Sequence, residues 1–331
     1  GVYQPGRRRP AMFTRISVPT PFQIGPVNTY LAGRTLVDPG PNSEEAWTAL
    51  TEGLEAAGTS PEAIEQVLVT HAHMDHFGLA RRFRELGARV VASAAVVDLL
   101  ADYRAHYERE RAFFVPFFEK HGVSRSTAEA ITGVSEAFLQ YAPSVEVDHA
   151  VGAGDTVDVA GTGTTLTVDP VDGHGPGELL FGFEAEGRRT ALVGDHVLEE
   201  ITPNPLLRPP PSPGEPRPRV LPAFNRSLER LRDAGFDRML PGHRGIVEAP
   251  GERVAEIIAA HERRTATVRD LVEGPTTAAE VMSGLFGDLP VTEQFPGMSE
   301  AVGHLDVLEA RGVVAREERE GTVVYERAQC G

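Results

Sequence analysis

The stretch Gln66-Val67-Leu68-Val69-Thr70-His71-Ala72-His73-Met74-Asp75-His76 decides how the rest of the chain is read. Its first half is apolar and β-branched, as in a buried strand, and Phe77-Gly78-Leu79-Ala80 followed by Arg81-Arg82-Phe83-Arg84 reads as a helix start. Three imidazoles and a carboxylate therefore fall on one strand-to-helix turn, where they can converge without spanning a flexible loop. Neutral imidazole with carboxylate is the donor set that zinc and other borderline cations take. A solvated histidine-rich turn is the competing explanation, and it leaves the spacing of the four donors unaccounted for.

A metal site needs more donors, and three later runs offer them. Asp172-Gly173-His174-Gly175-Pro176-Gly177 places a histidine in a glycine-rich turn after the strand-like Thr165-Leu166-Thr167-Val168, where backbone can approach a cation closely. Arg189-Thr190-Ala191-Leu192-Val193-Gly194-Asp195-His196 ends an apolar strand in a carboxylate, and Arg238-Met239-Leu240-Pro241-Gly242-His243 ends one in an imidazole. A single such residue is ordinarily a hydrogen-bonded structural group. The order and spacing of all of them carry the argument.

Taken in that order, His71 to His76, Gly173 to Gly177, Gly194-Asp195 and Pro241-Gly242-His243 resemble the motifs of the metallo-β-lactamase superfamily. The resemblance covers roughly Met12 to His261, and Asn28 to Ala32 with Leu36 to Gly40 looks like its opening strand pair. It implies an α/β fold, a four-layer αββα sandwich with metals at one edge. His71, His73 and His174 would hold a first cation, and Asp75, His76 and His243 a second. Asp195 would bridge them, which makes Asp75 and Asp195 the catalytic carboxylates. The Asp75-His76 pair and the lack of a motif cysteine resemble the glyoxalase II and lactonase branches. Two divalent ions are implied, zinc first, with iron or manganese compatible with the same donors.

Composition fits a soluble enzyme. The 331 residues, 41% hydrophobic, suffice for a full core plus a smaller appended module. No apolar run approaches the roughly 18 residues of a membrane span and no signal sequence opens the chain, so a cytoplasmic location is expected, without membrane contact. The single cysteine, Cys330, leaves no intrachain disulfide. A net charge of −16 repels phosphate backbones and disfavours nucleic acid as a partner. The basic run Arg7-Arg8-Arg9 falls in a segment, 1–11, expected to be a flexible solvated tail.

The catalytic domain is expected over 12–262 and a separate C-terminal module over 263–331. Ser43 to Ala57 reads as a capped helix, Ser60-Pro61 as the cap of a short one, and Arg89 to Ala92 as the next strand. From about 95 to 142 a helical insertion rich in aromatics, including Tyr103, Tyr107, Phe113, Phe114, Phe117 and Phe118, is expected to break near Pro116 and Gly122. Those aromatics either close over a substrate or fasten the helices to the sandwich. His106 and His121 read as exposed or capping residues. The proline-rich 203–222 predicts a stiff extended loop near the site.

In the C-terminal module a long helix from Glu252 to Glu273 precedes a capping box at Thr277-Ala278-Ala279-Glu280. Ser299 to Arg311 reads as an amphipathic helix burying Val302, Leu305, Val307 and Leu308, and a hairpin with a charged tip follows. This order resembles a winged helix, and similar tails are appended to some hydrolases of the superfamily. Glu300, Asp306 and Glu309 are expected to face outward, which is wrong for reading DNA. A role in shaping the pocket, or in a homodimer contact, is expected instead.

Two cations sharing a carboxylate would acidify a common water and aim it at a carbonyl, so no serine or cysteine nucleophile is needed. His196, Glu178, Tyr103 and Tyr107 are candidates for supporting the ligands or touching substrate, with ordinary packing as the alternative. His149 and His304 read as structural. By resemblance the substrate is a thioester, with acyl-glutathione, acyl-CoA or an acyl carrier as small-molecule or carrier-linked partner, and a lactone next. Glu178, the inserted helices and the tail depart from the glyoxalase pattern and speak against glutathione. No basic cluster near the motifs announces a nucleotide handle, although single arginines such as Arg104, Arg208 or Arg244 could supply one. Three rivals share parts of this reading: a phosphodiesterase or endoribonuclease of the same fold, an iron-dependent sulfur dioxygenase, and a non-catalytic DNA-binding regulator.

Overall fold

The computed structural model describes residues 13–328; the expected tail 1–11, with its arginine run, and Cys330 lie outside the described residues. Six strands form the first sheet in sequence order: β1 (Thr14–Val18), β2 (Val27–Ala32), β3 (Thr35–Val37), β4 (Gln66–Leu68), β5 (Arg89–Ser93) and β6 (His149–Val151). The second sheet contains β7 (Thr156–Asp158), β8 (Thr165–Pro170), β9 (Leu179–Ala185), β10 (Arg188–Gly194) and β11 (Arg238–Pro241), ordered β11-β10-β9-β8-β7. From β3 to β6 the strands pair in parallel, as do β10 and β11, and each parallel link passes through helix because a short turn cannot reverse the chain twice.

Leu68 and Val91 from one sheet meet Phe181 and Leu192 from the other in a shared core. The outer face of the first sheet is covered by α1 (Glu44–Ala56), α2 (Met74–Phe77) and α3 (Ala80–Glu85). The insertion follows as α4 (Val97–Ala101), α5 (Tyr103–Lys120) and α6 (Arg125–Phe138), and α7 (Val220–Arg232) with α8 (Pro250–Leu271) covers the second sheet. The result is the αββα sandwich. Local chemistry starts these helices where expected: Ser43 accepts from the Ala46 amide, and α1 then buries Ala46, Leu50 and Leu54 along one stripe.

Two expectations about the insertion and the proline-rich loop need correction. Gly122, at φ +97°, follows the end of α5, but Pro116 lies inside that helix without breaking it. Ala112 and Pro116 are both exposed, so the carbonyl left without an amide partner faces water. Residues 202–219 carry no helix or strand, whereas 220–222 already form the first turn of α7, where a proline loses no hydrogen bond.

The C-terminal elements are α9 (Ala278–Phe286), α10 (Val291–Ala310) and the hairpin β12 (Val314–Arg319) with β13 (Thr322–Arg327). The Thr277 capping box forms as expected. α10 begins earlier than Ser299 and is not amphipathic: every residue from Gly297 to Leu308 is buried, Glu300 and Asp306 included. Arg217 donates to both oxygens of Asp306, at 2.6 and 2.8 Å, and Arg264 donates to Glu300 at 2.9 Å. These carboxylates are internal ties rather than a solvated face. The expected boundary at 262/263 falls inside α8, and Phe114, Phe118 and Ile131 of the insertion share one core with Val281, Met298, Val302 and Tyr325. Insertion and C-terminal elements together roof one edge of the sandwich.

Candidate metal centre

Five strands end at that edge, and each delivers polar side chains to it: Asp38 after β3, the His71 to His76 turn after β4, His174 after β8, Asp195 after β10 and His243 after β11. Donor atoms of His71, His73 and His174 lie within 4.8 Å of one another, as do those of Asp75, His76 and His243. Asp195 Oδ2 sits between the two groups, 3.6 Å from His174 Nε2 and 3.5 Å from both His76 Nε2 and His243 Nε2. All seven residues singled out from the motifs are thereby brought together.

A third grouping, Asp38 with His71 and His76, has a different character. Asp38 Oδ1 accepts from the Thr70 amide at 2.8 Å, while Oδ2 accepts from Thr70 Oγ1 at 2.6 Å and from His76 Nδ1 at 2.8 Å. Its oxygens are occupied in holding the turn, so Asp38 orients ligands rather than being one. Nothing in the motif reading assigned it that role. The signal was present, because Asp38 ends a strand as the other site residues do.

The imidazoles show the same division of labour ring by ring. Nδ1 of His76 donates to Asp38, Nδ1 of His174 to the Asn204 carbonyl at 3.0 Å, and Nδ1 of His243 to the Pro26 carbonyl at 2.9 Å. Thr70 Oγ1 gives its own proton to Asp38, so its 3.0 Å contact with His71 Nδ1 makes the ring the donor there too. These four rings are thus held by Nδ1, which turns Nε2 toward the centre, whereas His73 is placed by its Nδ1 contact with His71 Nε2 at 3.0 Å. His76 Nε2, His243 Nε2 and Asp195 Oδ1 are buried without a hydrogen-bond partner, although Asp75 Oδ2 lies 3.2 Å from His243 Nε2. Buried polar atoms are seldom left so, and cations at the centre would satisfy them. The donor set therefore fits divalent metal ions.

Electrostatics divide the rings. Burial, with neighbouring imidazoles, holds His71 well below the ordinary histidine range and His73 down to about 3. Burial opposes protonation of His76 and His243 as well, but Asp195 and the other carboxylates facing them outweigh it and push both up. Burial alone would raise Asp75 and Asp195, yet the same histidines hold both down, Asp195 well below the carboxylate range. This is a pocket shaped for positive charge, in which a cation would displace protons. Backbone closeness is equally specific: a Cβ on Gly242 would lie 2.5 Å from His76 Cε1 and 2.6 Å from Asp195 Oδ1.

Glu178 and His196 lie behind the ligands. Glu178 Oε2 accepts from the His174 amide at 2.8 Å and faces His196 Nδ1 at 3.3 Å, and His196 packs on Phe224. Tyr103 lines a cleft of about 390 Å³ that exposes His73, Asp75, His174 and Asp195 between Phe22, Ile24, Leu198 and Ile201. It also lines an adjoining chamber of about 220 Å³, together with Tyr107, whose hydroxyl donates to the Thr132 carbonyl at 3.2 Å. Phe113, Phe114, Phe117 and Phe118 pack against one another, and Phe114 and Phe118 against Phe295 of α10, so the insertion's aromatics both fasten the roof and wall the site. His121 is buried rather than exposed and caps α5, donating to the Phe117 carbonyl; His106 lines the chamber beside Glu110. His304 is buried against Thr265 and Glu300, and His149 is exposed on β6.

A sandwich whose strand ends gather a three-histidine group and an aspartate–histidine group around a shared aspartate defines a class of metal-binding fold. The chain belongs to the metallo-β-lactamase superfamily, whose model matches residues 23–243. A protein of Bacillus subtilis named as a probable metallo-hydrolase is 32% identical over 314 residues, covering 94% of this chain and 96% of that protein. A metallo-β-lactamase family protein from Thermus thermophilus superposes with a TM-score of 0.78 at 28% identity, covering 95% of this chain and 98% of its own. A β-lactamase domain protein from Burkholderia ambifaria gives 0.79 at 26% identity, with 95% and 92% covered. Such coverage takes in the roof as well as the sandwich. Among the described residues no helix is long and apolar enough to cross a membrane.

Proposed function

We propose that the protein is a dinuclear metal-dependent hydrolase acting on a carbonyl substrate, a thioester first and a lactone next. The observation that carries this reading is the convergence of seven donors, among which His76 Nε2, His243 Nε2 and Asp195 Oδ1 are buried without partners while four of the rings are held from behind. His71, His73 and His174 would hold one cation, Asp75, His76 and His243 the other, and Asp195 reaches both groups. Bound there, divalent ions, zinc foremost, would supply Lewis acidity toward a carbonyl and a nucleophile at neutral pH. Asp75, on the wall of the cleft, is placed to accept a hydrogen bond from the attacking water and orient it. The apolar cleft and chamber exclude bulk water and take the acyl part of a small-molecule or carrier-linked substrate. The printed name of the Bacillus relative supports metal-dependent hydrolysis at the coarser level.

The test is elemental analysis of purified protein combined with rates on acyl thioesters, lactones, β-lactams and phosphodiesters. Two metal equivalents per chain and fastest turnover of a thioester are expected. A single iron, or preferred cleavage of phosphodiesters, would overturn the reading.

A further inference from the structure

The chamber beside the metal centre has a feature that plain acyl binding does not use. It joins the cleft through His73, Met74, Tyr103, His174 and Leu206, and its walls are largely apolar. Arg208, from the proline-rich loop, lines it with a largely buried side chain. One end of the guanidinium reaches the exposed Asp172, 3.1 Å from Nη2, whereas Nε is buried and has no hydrogen-bond partner. Asp172 engages Nη2 alone, and a carboxylate is the group that best pairs with a guanidinium on a largely apolar wall. The other charged residues lining the chamber are already engaged: Glu110 lies 3.2 Å from His106, and Arg111 reaches toward Glu136 on the surface.

We propose that Arg208 reads an acidic group at the far end of the substrate's acyl portion, so that the preferred substrate is the thioester of a short dicarboxylic acid. The apolar walls take the methylene body, Arg208 takes the distal carboxylate, and the scissile carbonyl lies toward His73 and His174. This deepens the thioester reading and rests on it for the reaction, although not for the binding.

Calorimetry on zinc-loaded protein separates the two. Glutarate and adipate are expected to bind at least about tenfold more tightly than pentanoate and hexanoate. Arg208→Met should collapse that ratio, and Arg208→Lys should restore part of it; thermal melts identify any variant that fails to fold, and the wild-type ratio stands as a test without the variants. Equal affinity of wild type for the two series overturns the proposal, as does equal loss of both in Arg208→Met. Arg208-dependent glutarate binding with no thioester cleaved would refute the thioester reading and leave this inference standing. Thioester cleavage indifferent to a distal carboxylate would do the reverse.

Discussion

In the floor of the site seven donor side chains ride on the ends of β4, β8, β10 and β11, whereas the roof is assembled from the insertion, the proline-rich loop and the C-terminal helices. Floor carboxylates face histidines whose other ring nitrogens are anchored; roof carboxylates, Glu300 and Asp306, face arginines in direct ion pairs. Sheet register places the donors of the floor, so its polar residues are free for chemistry. In the roof the polar residues are themselves the fastening. Losing a polar group should therefore cost function in one region and stability in the other.

The sharpest break of that contrast is Asp195→Ala or His73→Ala. Turnover is expected to fall below about a tenth of wild type, with metal content reduced and the thermal melt kept cooperative. Retention of both the rate and the full metal complement would show that the convergence of donors is not what supports catalysis. Asp306→Ala is the roof's counterpart. It strands the Arg217 guanidinium, which is largely buried and also lies 5.5 Å from the Phe117 ring, and leaves a buried charge unpaired. A stability loss of about 3–5 kcal/mol in denaturant titration is expected, with metal content per folded chain unchanged. A loss below about 1 kcal/mol would place the roof's fastening elsewhere.

Acid sensitivity sharpens the comparison further. Burial pushes His121, faced by Arg217, Arg316 and Lys120, and His261, near Glu300, His304, Arg264 and Glu262, from 6.5 down to about 4. The unfolded chain therefore binds protons that the folded chain refuses between pH 6.5 and about 4. Stability is complete above that window and falls as pH falls through it, by up to about 3 kcal/mol for each ring. Unfolding midpoints of metal-stripped wild type and His121→Gln, compared between pH 7.5 and 5, should diverge, with the variant flatter. Parallel profiles would remove His121 from the account.

Legibility follows the same division. The donors could be read because they lie in short contiguous motifs at strand ends, and because histidine and aspartate are uncommon there without a purpose. The roof could not be read that way. Asp306 finds its arginine 89 positions away and Glu300 finds Arg264 36 away, so the charge pattern of α10 taken alone looked like a solvated face. Pro116 misled for a related reason: whether a proline ends a helix depends on what the freed carbonyl faces, and that is settled by packing. Arg208 was legible only as an isolated arginine, since its importance lies in a chamber whose walls come from six separate segments of the chain.

Asp38 lies between the two categories, and its removal gives the smallest and most discriminating effect. It binds no cation on the geometry described, yet it holds His76 by Nδ1 and fixes both the amide and hydroxyl of Thr70, through which His71 is oriented. It does so from a left-handed backbone conformation, φ +51°, that aspartate tolerates better than most residues. Asp38→Ala should leave all seven donors present and only their aim relaxed. Metal affinity or activity is expected to drop roughly 10- to 100-fold, measured by competition with a chromophoric chelator and by turnover at saturating metal. A loss as complete as that of Asp195→Ala would make Asp38 a ligand. No loss at all would mean that sheet register aims His71 and His76 without Asp38, leaving the hydrogen bonds behind His174 and His243 as the ones that matter.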